Sequence, residues 1–81
     1  METRVALLSI IVKDAEAAEL LNDTLHQYAD YIIGRMGIPY APKKIHIISV
    51  AVDAPADVIN ALSGKIGNIR GINSKVAYAN E

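Results

Sequence analysis

The sequence predicts an α+β domain with the element order β-α-β-β-α-β, and three observations support this. Four segments are rich in β-branched and aliphatic residues, two others repeat apolar residues at helical spacing, and glycines and prolines separate them. This order is typical of the ferredoxin-like fold, in which two helices cover one face of a four-stranded antiparallel sheet. We expect residues 1–81 to form a single domain of this kind, because 81 residues leave little room for a second.

In the first half, the sequence predicts a strand, a helix and a second strand over residues 3–12, 15–28 and 30–37. Asp14 suits the N-cap of the helix, because its carboxylate can accept hydrogen bonds from the free amides of the next turn. Two glycines weaken the second strand. Pro39 and Pro42 then predict a connection over 38–42, because proline cannot donate to a strand ladder.

In the second half, the sequence predicts a strand, a helix and a last strand over residues 44–52, 53–67 and 71–78. Pro55 suits the first turn of a helix, and Asp53 or Asp57 suits its N-terminus. Gly67 is in place to end that helix. The last strand alternates, with one face formed by Ile72, Ser74, Val76 and Tyr78.

The first and third predicted strands are apolar on both faces, whereas a sheet with one wet face normally alternates apolar and polar residues. In the first, one face carries Val5, Leu7, Ser9 and Ile11, and the other Ala6, Leu8, Ile10 and Val12. In the third, one face carries Ile45, Ile47, Ser49 and Ala51, and the other carries His46, Ile48, Val50 and Val52. Two helices cover only one face of these central strands. We therefore expect a homo-oligomer, a dimer or a tetramer, although the pattern does not decide which face the helices cover.

Composition excludes several classes of function. Eight basic and nine acidic residues give a net charge of −1, which is unlike a dedicated nucleic-acid binder. There is no cysteine, so disulfides and thiolate chemistry are excluded. The longest apolar run, residues 5–12, is far shorter than the roughly 20 residues of a membrane span, and the N-terminus lacks the features of a signal peptide. We expect a cytoplasmic domain with no membrane contact.

Two stretches, residues 31–40 (YIIGRMGIPY) and 61–76 (ALSGKIGNIRGINSKV), carry a resemblance to a known family. With the opening strand, they resemble the iron-only hydrogenase system regulators, which are standalone ACT-like domains similar in fold to the C-terminal domain of the nickel-responsive transcription regulator. The resemblance implies a non-enzymatic regulatory or ligand-sensing module that self-associates through its sheet and acts through a small ligand or a regulatory protein. It implies no particular ligand, so the cofactor stays unknown.

Three departures limit what the resemblance transfers. Amino-acid-binding ACT domains place a glycine soon after the Asp that ends the first strand, whereas alanine and glutamate follow Asp14. The nickel regulator's metal site needs several histidines and a cysteine, and this chain has only His26 and His46. That regulator also has a DNA-binding segment before its sensor, and the first strand here starts near Met1. We therefore expect no direct, specific DNA binding.

Six residues are candidates for a ligand site or a subunit boundary: Gly34, Arg35, Met36, Gly37, Tyr40 and His46. The glycines allow close approach of another backbone or a bulge, and Arg35 suits an anion or a neighbouring carboxylate. His46 sits among aliphatic residues, where packing or an interface is the usual role. The Gly-x-x-Gly spacing also occurs in the loop of KH domains, but that loop leads into a helix, which Pro39 and Pro42 disfavour.

The sequence contains no Ser-His-Asp set, metal-ligand cluster or phosphate loop, so we assign no catalytic and no metal-binding residues. Two alternatives to a sensor stay open. One is a small enzyme of the dimeric α+β barrel kind, which would enclose a polar cavity between sheet and helices. The other is a purely structural assembly domain. A sheet–helix interior packed with aliphatic side chains would favour the regulator over the enzyme.

Overall fold

A computed structural model of the chain describes residues 2–79 and has the predicted element order β-α-β-β-α-β. The strands are β1 (Arg4–Val12), β2 (Ile32–Tyr40), β3 (Ile45–Ala54) and β4 (Ile72–Tyr78), and the helices are α1 (Ala15–Gln27) and α2 (Ala56–Gly67). The sheet is antiparallel with the strand order β2-β3-β1-β4. The two doubly apolar strands are therefore central, as expected, and β2 and β4 form the edges.

The second strand differs most from the sequence-based expectation. Residues 29–31 form a 3-10 turn, and β2 continues through Pro39 to Tyr40, where we expected a connection. An edge strand tolerates this proline, because one side of its backbone has no ladder partner. The hairpin is closed by a 3-10 turn over Ala41–Lys43 and by Lys44 in the left-handed region. Since Gly34 and Gly37 lie inside a strand, the KH interpretation is wrong.

The third strand is longer than predicted and delays the start of the second helix. Asp53 was expected at that helix's N-terminus, but it lies within β3 and pairs with Val5. Pro55 occupies the N-cap position, and Asp57 lies in the first turn, where its charge suits the helix dipole. Extended pairing with β1 accounts for the difference, since a strand continues for as long as its neighbour offers partners.

The hydrophobic core lies between the two helices and the even-numbered face of the central strands. That face contributes Ala6, Leu8, Ile10, Val12, Ile48, Val50, Val52 and Ala54. The helices meet it with stripes at helical spacing, Ala17, Leu21 and Leu25 from α1 and Ile59, Leu62 and Ile66 from α2. Within residues 2–79 no polar or charged residue is buried, so the sheet–helix interior is aliphatic.

The junction between β1 and α1 is fixed to the start of β4. Asp14 caps α1 by accepting a hydrogen bond from the Glu16 amide at 3.0 Å, as predicted. The Lys13 amide donates to the Gly71 carbonyl at 2.8 Å. Gly71 has a φ of +87°, and a Cβ there would lie 2.9 Å from the Asp14 Cβ. Only glycine adopts this positive φ and also avoids the contact between a Cβ and Asp14 without strain.

A β-bulge in β2 sets which of its side chains face the helices. Ile32 pairs with Val52 and Gly34 with Ala51, so Ile33 is an extra residue without a partner. From Gly34 onward the alternation is shifted by one position relative to Ile32.

No helix in residues 2–79 combines the length and apolar character needed to cross a bilayer.

Candidate functional site

The sheet face that the helices leave uncovered, called the open face below, is apolar over most of its area. Paired residues on neighbouring strands share a face, so the register assigns its members. They are Val5, Leu7, Ser9, Ile11, Gly34, Met36, Ile38, Tyr40, Ile45, Ile47, Ser49, Ala51, Asp53, Asn73, Lys75 and Ala77. Leu7 and Ile47, on the central strands, are 42% and 40% exposed, and Met36 on the edge is 64% exposed. An apolar surface of this extent typically marks an interaction site.

The side chains of the open face form rows that run across all four strands. One row is wholly aliphatic on three strands, with Ile38, Ile47 and Ile11, and ends in Asn73. The next row, called the serine row below, contains Met36, Ser49, Ser9 and Lys75. A third row consists mainly of small residues, namely Gly34, Ala51, Leu7 and Ala77. The serine row therefore places two hydroxyls on the central strands between apolar neighbours.

The structure divides the six predicted candidates between the two faces of the sheet. Gly34, Met36 and Tyr40 belong to the open face, while Arg35 and His46 pair with Val50 and Val12 on the face that carries the helices. Gly37 also lies on the helix side, where a Cβ would be 3.8 Å from Ile48. The candidates thus belong to one hairpin but do not converge on one cavity.

Arg35 reaches from the edge strand to the first helix. Its Nη2 donates a hydrogen bond to Oδ1 of Asn22 at 3.0 Å. Both residues line a cavity of about 290 Å³ that also includes His26 and Ala29. The bond holds the guanidinium over the helix-side rim of β2 and away from the open face.

His46 lines a different cavity of about 290 Å³, at the tip of the β2–β3 hairpin. Pro39, Tyr40, Lys44 and Asp14 also line this cavity. His46 is exposed and is therefore not a core residue, and an interface role for it stays a prediction. Within residues 2–79 no group of three His, Cys, Asp or Glu side chains is placed to share a metal ion.

Sequence reasoning missed the serine row as a unit. Ser9 and Ser49 interrupt otherwise aliphatic strands, and that interruption was the available signal. Ser9 lies opposite Ser49 on one side and Lys75 on the other because of the register between three strands. The sequence of one strand does not contain that register. Asn22 was missed because nothing in a helix sequence identifies a partner on a distant strand.

Comparisons with known proteins agree with this architecture. A family model described as "Iron-only hydrogenase system regulator, putative" (TM1266-like) matches residues 4–76. A curated protein of Saccharolobus solfataricus, "Putative nickel-responsive regulator", is 32% identical over 66 residues, which cover 82% of this chain. The chain spans about half of that relative, 49% of its length.

Solved structures show the same fold. The uncharacterized protein TM1266 from Thermotoga maritima has a TM-score of 0.94 and 32% identity, with 98% of this chain and 100% of that chain covered. A putative glycine cleavage system transcriptional repressor has a TM-score of 0.66 at 10% identity, covering 98% of this chain and 47% of that one. At that identity the second likeness concerns the fold alone.

Proposed function

This chain belongs to the TM1266-like family of iron-only hydrogenase system regulators, and from that premise we propose that it is a non-catalytic regulatory domain that self-associates through its open face. In this proposal it responds to a small ligand or a regulatory protein at the boundary between copies. It forms a dimer or a tetramer and does not bind DNA specifically by itself. Transcriptional effects would pass through another protein.

The extent of the apolar open face is the observation that carries the proposal. Four strands spaced about 4.8 Å apart, with seven to ten residues at about 3.4 Å each, give a face of roughly 500 Å². Burying the apolar part of that area contributes at most about 12 kcal/mol per copy at about 25 cal/mol per Å², before the costs of association. A typical stable interface buries about 800 Å² per partner, so this face is of the right order for a dimer.

A second copy is the partner we favour for this face. A two-fold axis places the same surface on both sides of an interface, so each aliphatic row can meet its own equivalent. Ile11, Ile38 and Ile47 form such a row across three strands. Two sheets can then pack face to face at about 10 Å.

The interior supports a regulator more than an enzyme of the α+β barrel kind. Such an enzyme needs a polar cavity between sheet and helices, and here that space is filled by aliphatic side chains of the core. Gly34, Met36 and Tyr40, which belong to the open face, would lie at the subunit boundary, while Arg35 and His46 lie on the helix side of the same hairpin.

Light scattering at micromolar concentration tests the proposal. We expect a mass of at least twice the 8.7 kDa of the chain. A monomer under these conditions would contradict self-association. Thermal-shift screening against metals, amino acids and nucleotides separates a sensor from a purely structural assembly domain, because only a sensor is stabilised by binding a ligand in its native state.

A further inference from the structure

The centre of the open face is polar, which reverses the usual organisation of a protein interface. Interfaces normally have an apolar centre and a polar rim. Ser9 and Ser49 are paired with each other on the two central strands, near the middle of both. None of the side-chain hydrogen bonds found within residues 2–79 involves Ser9, Ser49 or Lys75. If a second copy covers this face, these groups need another partner, because a buried polar group without one is costly.

The serine row also lies in a depression large enough for a small molecule. A cavity of about 680 Å³ includes Ser9, Ser49 and Lys75 among its lining residues. Ligand pockets typically measure about 300–1,000 Å³, so this volume exceeds what an inorganic anion needs. Ile11 and Ile47 line the same cavity from the open face and supply apolar contacts there. The cavity is also lined by residues that the register and α2 assign to the helix side, namely Ile10, Ile48, Gly67, Ile72 and Ser74.

The charge of the row indicates what it would bind. Lys75 is its only ionised side chain, and the two hydroxyls can both donate hydrogen bonds. The carboxylate of the open face, Asp53, is four residues along β3 from Ser49, which is roughly 13 Å in a strand. The row is therefore a positive site with donors, and no acidic residue of the open face is close to it.

We propose that the serine row binds the carboxylate of a small molecule with an aliphatic body, held at the centre of the open face between two copies. The carboxylate accepts from Ser9, Ser49 and the Lys75 ammonium, and the aliphatic body lies against Ile11 and Ile47. This inference deepens the proposed function and rests on it for the second copy. It names the class of ligand and a site separate from Arg35.

An NMR titration with three probes tests the site in the full chain. Hexanoate has both a carboxylate and an aliphatic body, hexanol has the body alone, and inorganic phosphate has the charge alone. We expect hexanoate to give saturable shifts of the Ser9, Ser49 and Lys75 amides, and the other two probes to bind at least about tenfold more weakly. Equal binding of hexanol, tighter binding of phosphate, or no saturable shift with hexanoate overturns the proposal.

Variants show which groups hold the ligand. Lys75→Gln should weaken hexanoate about tenfold, because a charge-assisted hydrogen bond is lost. Lys13→Gln is the control, since it makes the same change in charge outside the row and should leave binding unchanged. Ser9→Ala with Ser49→Ala should also weaken hexanoate. If the alanines leave hexanoate affinity unchanged, the row is only part of the interface and the proposal is wrong.

Light scattering on the same samples separates the two proposals. A monomeric mass with binding at the row intact contradicts self-association and the position of the ligand between two copies, and leaves the ligand class and its binding residues standing. An oligomeric mass without hexanoate binding contradicts the ligand site alone.

Discussion

Lysine substitutions at neighbouring positions of β1 should have opposite consequences, because Leu7 lies on the open face and Leu8 in the core. Leu7 is 42% exposed and Leu8 is fully buried. Leu8→Lys loses about 1.5–3 kcal/mol of apolar burial and places a charge in the core, so the total exceeds about 4 kcal/mol. The whole stability of a domain of 81 residues is about 4–12 kcal/mol. We expect Leu8→Lys to unfold the chain.

Leu7→Lys should leave the fold intact and break the oligomer. The side chain is already partly in water, so we expect a loss of about 1 kcal/mol in stability. In a two-fold interface the new charge occurs twice. If burying each unpaired charge costs about 2 kcal/mol of association free energy, the total of about 4 kcal/mol raises the Kd of the dimer about a thousandfold. Circular dichroism reports the fold and light scattering reports the mass. Ile47→Lys and Ile48→Lys form a matched pair on β3, on the open face and in the core respectively.

Two results would refute this reasoning. One is an unchanged oligomeric mass in Leu7→Lys, which would show that the open face does not hold the copies together. The other is native-like circular dichroism and thermal stability in Leu8→Lys, which would show that the faces are assigned the wrong way round.

Three further predictions concern the hairpin, the glycines and DNA. Tyr40→Phe should weaken association by more than it lowers stability, because Tyr40 belongs to the open face and a solvated surface change is usually within about 0.5 kcal/mol; Arg35→Ala is its control, since Asn22 holds the guanidinium on the helix side, and should leave the oligomeric mass unchanged; an unchanged mass in Tyr40→Phe would remove Tyr40 from the site. Gly71→Ala should cost about 1–3 kcal/mol in chemical denaturation because of its positive φ and the Asp14 contact, while Gly64→Ala, with open space around it in α2, should stabilise by about 0.5–1 kcal/mol; equal effects would contradict the strain argument. Gel shifts with duplex DNA at about 150 mM salt should give no sequence-dependent complex, and a saturable, sequence-dependent one would overturn that prediction.

Much of the fold could be predicted because local patterns and global packing agree. The helices begin and end within one or two residues of their predicted bounds, except that α2 starts after Pro55. The expectation that β1 and β3 are central was confirmed. The face that the helices cover could not be predicted, since both faces of each central strand are aliphatic and only the packed helices distinguish Leu7 from Leu8.

The candidate site was less predictable, for two physical reasons. From the sequence, Pro39 is expected to end a strand, so the predicted second strand is too short. An edge strand accommodates this proline, and β2 continues to Tyr40. The serine row is a product of register between three strands, and register is a long-range property. Prediction from one strand at a time therefore found Arg35 and Tyr40 but not the alignment of Ser9, Ser49 and Lys75.

The extra residue Ile33 gives β2 a place where its length can change without changing its pairing. Deleting Ile33 would make Ile32 and Gly34 consecutive residues opposite Val52 and Ala51, so every later pair of β2 with β3 would keep its register and its face. A deletion later in the strand has a different result. If the bulge closed to absorb it, the residues between the bulge and the deletion would turn to the opposite face, because side chains alternate with a period of two. Arg35 would then pair with Ser49 at the centre of the open face, which would replace an aliphatic surface by a cationic one. The bulge therefore separates a length change that preserves the open face from one that alters the kind of partner this face accepts.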